Sequence, residues 1–293
     1  MMMMQENQTP SAPLRAPLRL LTIAGSDSGG GAGIQADLKT FAALGCYGMS
    51  AVAALTAQNT LGVEGIYSVP PYFLGAQIDA VAADIGVDAV KIGMLHSAAL
   101  IREVARALGR HAFAPVVLDP VMVSASGARL MEAGAEQALV QLLFARADVI
   151  TPNLDEAALL LGREVCGVPD MPAAAQALLA FGARAVLLKG GHLPGAEVCD
   201  LLARPGAPTL MLRAPRVPTR NLHGAGCTLS SALAAHLAQG LALEDAVRAA
   251  CDFTHRAIEN GATWRVGAGI SPLDVGFAPR ATLSQPLKKI MKN

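Results

Sequence analysis

The sequence predicts a three-layer α/β/α fold built on a mainly parallel central sheet. Short runs such as Val116-Val117-Leu118 and Ala185-Val186-Leu187-Leu188 are apolar on both sides, as central strands covered by helices on both faces must be. These runs alternate with segments of helical period, as a sheet with crossover helices requires. With 293 residues, 53% of them hydrophobic and 16% charged, the chain can bury a sizeable core and is not a disordered polymer.

In order, 18–24 is an apolar run suited to a buried strand. It leads into Gly25-Ser26-Asp27-Ser28-Gly29-Gly30-Gly31-Ala32-Gly33 and then a helix through Ile34, Leu38, Phe41 and Ala42, stopped by Gly45. The glycine spacing fits neither a dinucleotide-binding turn nor a Walker loop. Asp37 is expected in the first turn of this helix, where an acid suits the helix dipole. A second strand at 49–55 should end in the polar cluster Thr56-Ala57-Gln58-Asn59-Thr60, either a solvated turn or a set of amides suited to a heterocycle. Helices over 72–85, 98–108, 133–144 and 172–181 then precede strands at 89–94, 115–119, 148–151 and 185–189. Residues 195–218, rich in Pro and Gly, suggest a β excursion with a strand at 210–214. A helix over 243–260 completes the fold, and no linker divides 18–277 into two domains.

The formal net charge is zero and no long basic run is present, which argues against nucleic acid or an anionic membrane as partner. No apolar run reaches the roughly 18 residues of a membrane span. Five scattered cysteines without a C-x-x-C pair point to a reducing compartment, hence the cytoplasm, with no disulfide framework and no structural zinc. Residues 1–17 and 278–293 read as loose tails.

Right-handed crossovers place the carboxyl ends of parallel strands on one rim, where ligands bind in open α/β sheets. Asp27, Gln58, Asp119, Asn153, Glu156 and Lys189 are all expected there. They are joined by Gly224-Ala225-Gly226-Cys227, a glycine turn feeding a helix with Leu229, Leu233 and Leu237 on one face. Unpaired N–H groups at such a helix start, with the dipole behind them, bind anions. The same field should lower the thiol pKa of Cys227. The residues alone thus point to a phosphate-binding α/β protein.

Seven motifs go further. They are Ala24-Gly25-Ser26-Asp27-Ser28-Gly29-Gly30-Gly31-Ala32-Gly33-Ile34-Gln35-Ala36-Asp37, Ala57-Gln58-Asn59-Thr60, Lys91-Ile92-Gly93-Met94, Asp119-Pro120-Val121-Met122, Thr151-Pro152-Asn153, Leu188-Lys189-Gly190-Gly191-His192 and Gly224 to Thr228. In this order, across about 18–276, they resemble the hydroxymethylpyrimidine/phosphomethylpyrimidine kinases of thiamine biosynthesis, members of the ribokinase-like superfamily. The resemblance implies that ATP phosphorylates 4-amino-5-hydroxymethyl-2-methylpyrimidine and then its monophosphate. It also implies that Gln58 bonds the pyrimidine in a pocket lined by Gly25, Asp37, Met94 and Val121. By the same resemblance Asn153 and Glu156 hold Mg²⁺ through water, Lys189 reaches the ATP phosphates, and the 224–227 amides form the anion hole. Cys227 stands where sugar kinases of the superfamily carry an aspartate base, and relatives are commonly homodimers.

Two departures stand out. Leu222 and Ala225 replace threonines usual in the anion-hole motif. Ala125 replaces a lysine, for which Arg129 is the nearest substitute. The alternatives are a pyridoxine/pyridoxal kinase, whose substrate is also a hydroxymethyl-bearing ring, and a non-catalytic pyrimidine-binding regulator of the same fold.

Overall fold

A computed structural model describes residues 16–124 and 127–277. The two tails fall outside the described residues except at 16–17, and so does Ala125. The strands are β1 (Arg19–Asp27), β2 (Tyr47–Asn59), β3 (Gly62–Ser68), β4 (Ala89–Ile92), β5 (Val116–Leu118), β6 (Val149–Ile150), β7 (Val186–Leu188), β8 (Glu197–Ala203) and β9 (Leu210–Pro215). They form one sheet in the order β3-β2-β1-β4-β5-β6-β7-β8-β9. The six strands from β2 to β7 in that order are parallel, while β3 at one edge and β8 and β9 at the other run antiparallel.

The helices are α1 (Gly33–Ala43), α2 (Pro71–Asp84), α3 (Ala98–His111), α4 (Ala135–Leu143), α5 (Leu154–Leu161), α6 (Met171–Leu179), α7 (Ala225–Ala238) and α8 (Leu243–Gly261). Alternation along each strand splits the core into two layers. Leu21, Ile23, Val116, Leu118, Val186 and Leu188 pack against α2 to α6 through Leu74, Ile78, Leu100, Leu139 and Met171. Leu20, Val117 and Leu187 face α1, α7 and α8 through Phe41, Leu229, Leu233, Val247 and Phe253. The expected three-layer architecture with a mainly parallel sheet is therefore the observed one.

Two local expectations need correction, and one helix is added. The polar cluster 56–60 is not a turn after a short strand, because β2 runs on to Asn59 and pairs with β3, placing Gln58 within a ladder. Asp37 lies in the second turn of α1, and no acid occupies the first. The segment after Asn153 is an ordered helix, α5, closed by a capping box in which Asn153 Oδ1 accepts the Glu156 N–H and Glu156 Oε2 accepts the Asn153 N–H, each at 2.8 Å.

Candidate active site

Because β1, β2, β4, β5, β6 and β7 point the same way, the segments leaving them share one rim. There a cavity of about 520 Å³ is lined by Gly25, Gln58, Met94, Val121, Asn153, Glu156, Lys189 and all of Gly224 to Cys227. The volume suits a small ligand or cofactor. Of the residues singled out in the sequence, Asp37 and Arg129 stand apart from this wall.

The phosphate end is built by the start of α7. Gly224 caps the helix in the left-handed conformation, φ 87°, with no side-chain cap bond, a backbone shape that glycine adopts freely. The Ala225 N–H donates to Leu222 O (3.1 Å) and the Thr228 N–H to Gly224 O (2.9 Å). Ala225 is thus not an anion-hole donor: its amide is spent closing the turn. Among the described residues the Gly226 and Cys227 N–H groups meet no protein acceptor, and they open at the positive end of the helix dipole.

Lys189, at the end of β7, brings a cation to the same spot. A β-carbon on Gly226 would lie 3.2 Å from Lys189 Nζ and 3.6 Å from Asp119 Oδ2. Asp119, after β5, is buried and accepts from Lys189 Nζ (2.7 Å) and Thr151 Oγ1 (2.9 Å). Burial works against the Asp119 charge, but Lys189 and Lys91 hold its carboxyl below the ordinary range. Asp119 thereby aims the lysine, a role the sequence did not disclose beyond its place on the rim.

Beneath Cys227 lies a buried ion pair. Lys91 Nζ donates to both oxygens of Asp37 (2.8 and 2.9 Å), which also accept from Thr22 Oγ1 (2.6 Å) and Ser231 Oγ (2.7 Å). Both side chains are 0% exposed. Asp37 therefore anchors α1 and α7 to the sheet instead of lining the pyrimidine pocket. The signal for this pair was a lysine inside the apolar strand Ala89-Val90-Lys91-Ile92, since a charge there demands a partner.

The expected lowering of the Cys227 pKa is also overturned. Loss of water around the sulfur pushes it up to about 11, and Lys91 and the Gly33 amide offset this only in part while Asp37 and Asp119 add to it. At neutral pH the residue is a thiol. Glu156 is likewise pushed up to about 7 by burial, against the pull of Lys189 and the Asn153 N–H and with Asp119 and Asp155 adding to the rise.

The ring end of the cavity is formed by Gly25, Met94, Val121 and Leu130 with Gln58 at its edge. The Gly25 N–H donates to Met94 O (3.1 Å), and a β-carbon on Gly25 would lie 2.5 Å from the Met94 methyl. The Thr56 hydroxyl lies 3.1 Å from Gln58 Oε1 and 2.8 Å from the Ser26 carbonyl, tying the amide to the end of β1. Arg129 does not replace the missing lysine: it bonds Glu136 (2.5 Å) and the Met131 carbonyl (2.9 Å). At the opposite end Val198, Pro215, Val217, Leu222, Leu229 and Ile258 make an apolar lobe that sequence reading missed. Its residues come from β8, the end of β9, the segment that follows it, α7 and α8, which no local pattern links.

Two glycine turns thus press against one helix start, with a lysine at its mouth, and comparison with known proteins points to the same kind of site. The profile of the family described as Phosphomethylpyrimidine kinase matches residues 27–274. The chain belongs to the phosphomethylpyrimidine kinase family. It is 50% identical over 269 residues to the hydroxymethylpyrimidine/phosphomethylpyrimidine kinase of Streptomyces coelicolor, covering 92% of this chain and 98% of that protein. Among solved structures, the phosphomethylpyrimidine kinase of Clostridium difficile is similar with 41% identity and a TM-score of 0.72, covering 82% of this chain and 99% of that one. An ADP complex of Bacillus subtilis pyridoxal kinase superposes with a TM-score of 0.82 at 36% identity, covering 89% and 98%. The ribokinase-like fold and the kinase resemblance read from the seven motifs are thereby established.

Proposed function

We propose that this protein uses ATP to phosphorylate 4-amino-5-hydroxymethyl-2-methylpyrimidine and then the resulting monophosphate, giving the diphosphate for thiamine diphosphate biosynthesis. One observation carries the reading: the Lys189 ammonium, the open Gly226 and Cys227 amides and the Cys227 thiol meet in a single cavity with Gln58 and the Met94–Val121 pocket.

In this reading the ring lies against Met94 and Val121 with Gln58 bonding its polar edge. The ATP base occupies the apolar lobe, and the γ-phosphate points at the start of α7. The hydroxymethyl oxygen forms a bond to the γ-phosphorus as the bond to the β–γ bridging oxygen breaks, and ADP leaves with that electron pair. Phosphoryl transfer depends on alignment and charge neutralisation, which Lys189 and the two amides supply. The Cys227 thiolate, a minor form at neutral pH, takes the hydroxymethyl proton. A loose transition state asks little of a base.

Asn153 and Glu156 fit a hydrated Mg²⁺: the capping box fixes both side chains on the cavity wall while using only one carboxylate oxygen of Glu156. The ion would neutralise phosphate charge. Among the described residues no cluster of three acidic, histidine or cysteine side chains would bind a bare metal, which agrees with a cation held through water. No helix among them is long and apolar enough to cross a membrane, and the cysteines are free, in keeping with a single cytoplasmic kinase domain over 18–277. A homodimer is supported by exposed Leu55 and Tyr67, paired across β2 and β3, and by exposed Tyr72 and Phe73 at the start of α2; light scattering at twice the chain mass tests it.

The deciding experiment is a coupled ADP assay with the hydroxymethylpyrimidine, its monophosphate and pyridoxal supplied separately. Turnover with both pyrimidines supports the reading. Preference for pyridoxal, or binding without ADP release, replaces it with the vitamin B6 kinase or the non-catalytic regulator. Cys227→Ala should fold and lose most turnover, whereas Gln58→Ala should chiefly raise KM for the pyrimidine.

A further inference from the structure

We propose that His223 is a positioning residue for phosphoryl transfer, holding the start of α7 in register with the glycine-rich turn after β1 and with the β2–β3 hairpin that carries Gln58. The proposal rests on reading the start of α7 as the phosphate site.

The connection to the glycine turn runs through Asp27. Its side chain is 3% exposed. Oδ1 accepts the Gly29 N–H (2.8 Å), and Oδ2 accepts those of Gly31 (3.0 Å) and Ala32 (2.8 Å) together with His223 Nε2 (2.9 Å). Burial opposes the charge, yet His223 and the Ala32 and Gly29 amides bring the carboxyl below its ordinary range. An ionised carboxylate only accepts, so Nε2 carries the proton and the ring orientation is set. One carboxylate therefore folds the 27–32 turn and grips the residue immediately before Gly224.

The backbone of His223 makes the second connection. Its N–H donates to Ser271 O (3.3 Å) in the segment after α8, while the Ile270 N–H donates to Thr60 O (2.9 Å) and the Gly269 N–H to Thr60 Oγ1 (3.1 Å). Thr60 stands two residues beyond Gln58. The ring-binding amide and the phosphate-binding amides, far apart in sequence, are thus bridged by His223 and the 269–271 segment. There is no slack between the turns: a β-carbon on Gly224 would run into the Gly31 carbonyl, and one on Gly31 into the His223 ring. His223 lines the cavity, but its proton is committed to Asp27, so its effect is exerted through the placement of Gly226 and Cys227. A displacement of about 1 Å there can cost on the order of 100-fold in rate.

The test is steady-state kinetics of the full chain with the hydroxymethylpyrimidine, alongside thermal melts. His223→Ala should lower kcat by about 10-fold or more and leave KM for the pyrimidine within about two-fold. His223→Gln, whose amide nitrogen can reach the place of Nε2, should recover most of kcat. Should the alanine variant not fold, the glutamine variant alone decides: near-native kcat supports the proposal, and a loss matching the expected alanine effect overturns it. An unchanged kcat in His223→Ala, a raised KM with kcat intact, or a folded glutamine variant no better than alanine also overturns it. Failure of the underlying reading looks different, since Gly224→Ala, which displaces the start of α7 itself, would then turn over like the wild type whatever His223 does.

Discussion

Replacing Lys91 with Met should be the most destabilising single change near the site. In the folded protein the Asp37 carboxylate receives two bonds from Lys91 and one each from Thr22 and Ser231, all without solvent. Methionine fills the stem of the lysine, so the packing loss is small, but it removes the cation paired with Asp37. The two hydroxyl bonds that remain contribute about 1 kcal/mol each and cannot offset a buried charge. Breaking one side of such a pair costs roughly 3–5 kcal/mol, or about 6–20 °C in Tm at roughly 2–4 °C per kcal/mol for a large domain. Urea melts of wild type, Lys91→Met and the double variant Lys91→Met/Asp37→Asn measure the effect at constant m. The double variant should recover more than half of the loss, because the neutral amide still bonds Thr22 and Ser231 and leaves no unpaired charge. A single variant within about 1 kcal/mol of wild type, or a double variant no more stable than the single one, would refute this account.

Three further outcomes follow from the site. With its thiol pushed to about 11 from an ordinary 9.0, Cys227 should react with iodoacetamide about 100-fold more slowly at pH 7.5 than a free cysteine, its rate rising tenfold per pH unit to at least pH 10; a plateau near pH 8 by peptide mass spectrometry would contradict this. Gly224→Ala must place a β-carbon at φ 87° against the Gly31 carbonyl, so kcat should drop by about 100-fold or more while the ring pocket still binds pyrimidine. Glu156, raised from 4.5 to about 7, keeps its proton in the folded state where the unfolded chain has lost it. Its contribution is therefore full below about pH 4.5 and declines by roughly 3 kcal/mol as pH rises to about 7. Glu156→Gln should flatten that part of the stability–pH curve measured in EDTA, and an unchanged slope would locate the proton elsewhere.

The central strands were legible because their environment imposes a pattern on neighbouring residues. A strand covered on both faces must be apolar throughout, as Val116-Val117-Leu118 is. The edge strand β3 was not legible: Gly-Val-Glu-Gly-Ile-Tyr-Ser is mostly exposed or half-exposed and follows no alternation. The start of α5 escaped the sequence reading although Asn153 and Glu156 have the spacing of a capping box, because the resemblance gives both residues to the metal; the capping box leaves room for that use. The rim itself was readable, since parallel topology gathers strand ends whatever the side chains are. Which rim residue touches which was not readable, because the contacts Asp27–His223 and Lys91–Asp37 join residues 196 and 54 positions apart.

Cys227 shows most clearly where sequence reasoning ends. A helix start contributes about half a unit of positive charge to a nearby thiolate, and that part of the argument is local. The opposing effect depends on how densely the rest of the chain surrounds the sulfur and on which acids are nearby, here Asp37 from α1 and Asp119 from β5. Desolvation can move a pKa by several units, more than a helix dipole supplies, so the local field loses. The uncharged thiol also serves transfer: it leaves the positive field of Lys189 and the two open amides on the phosphoryl group unopposed.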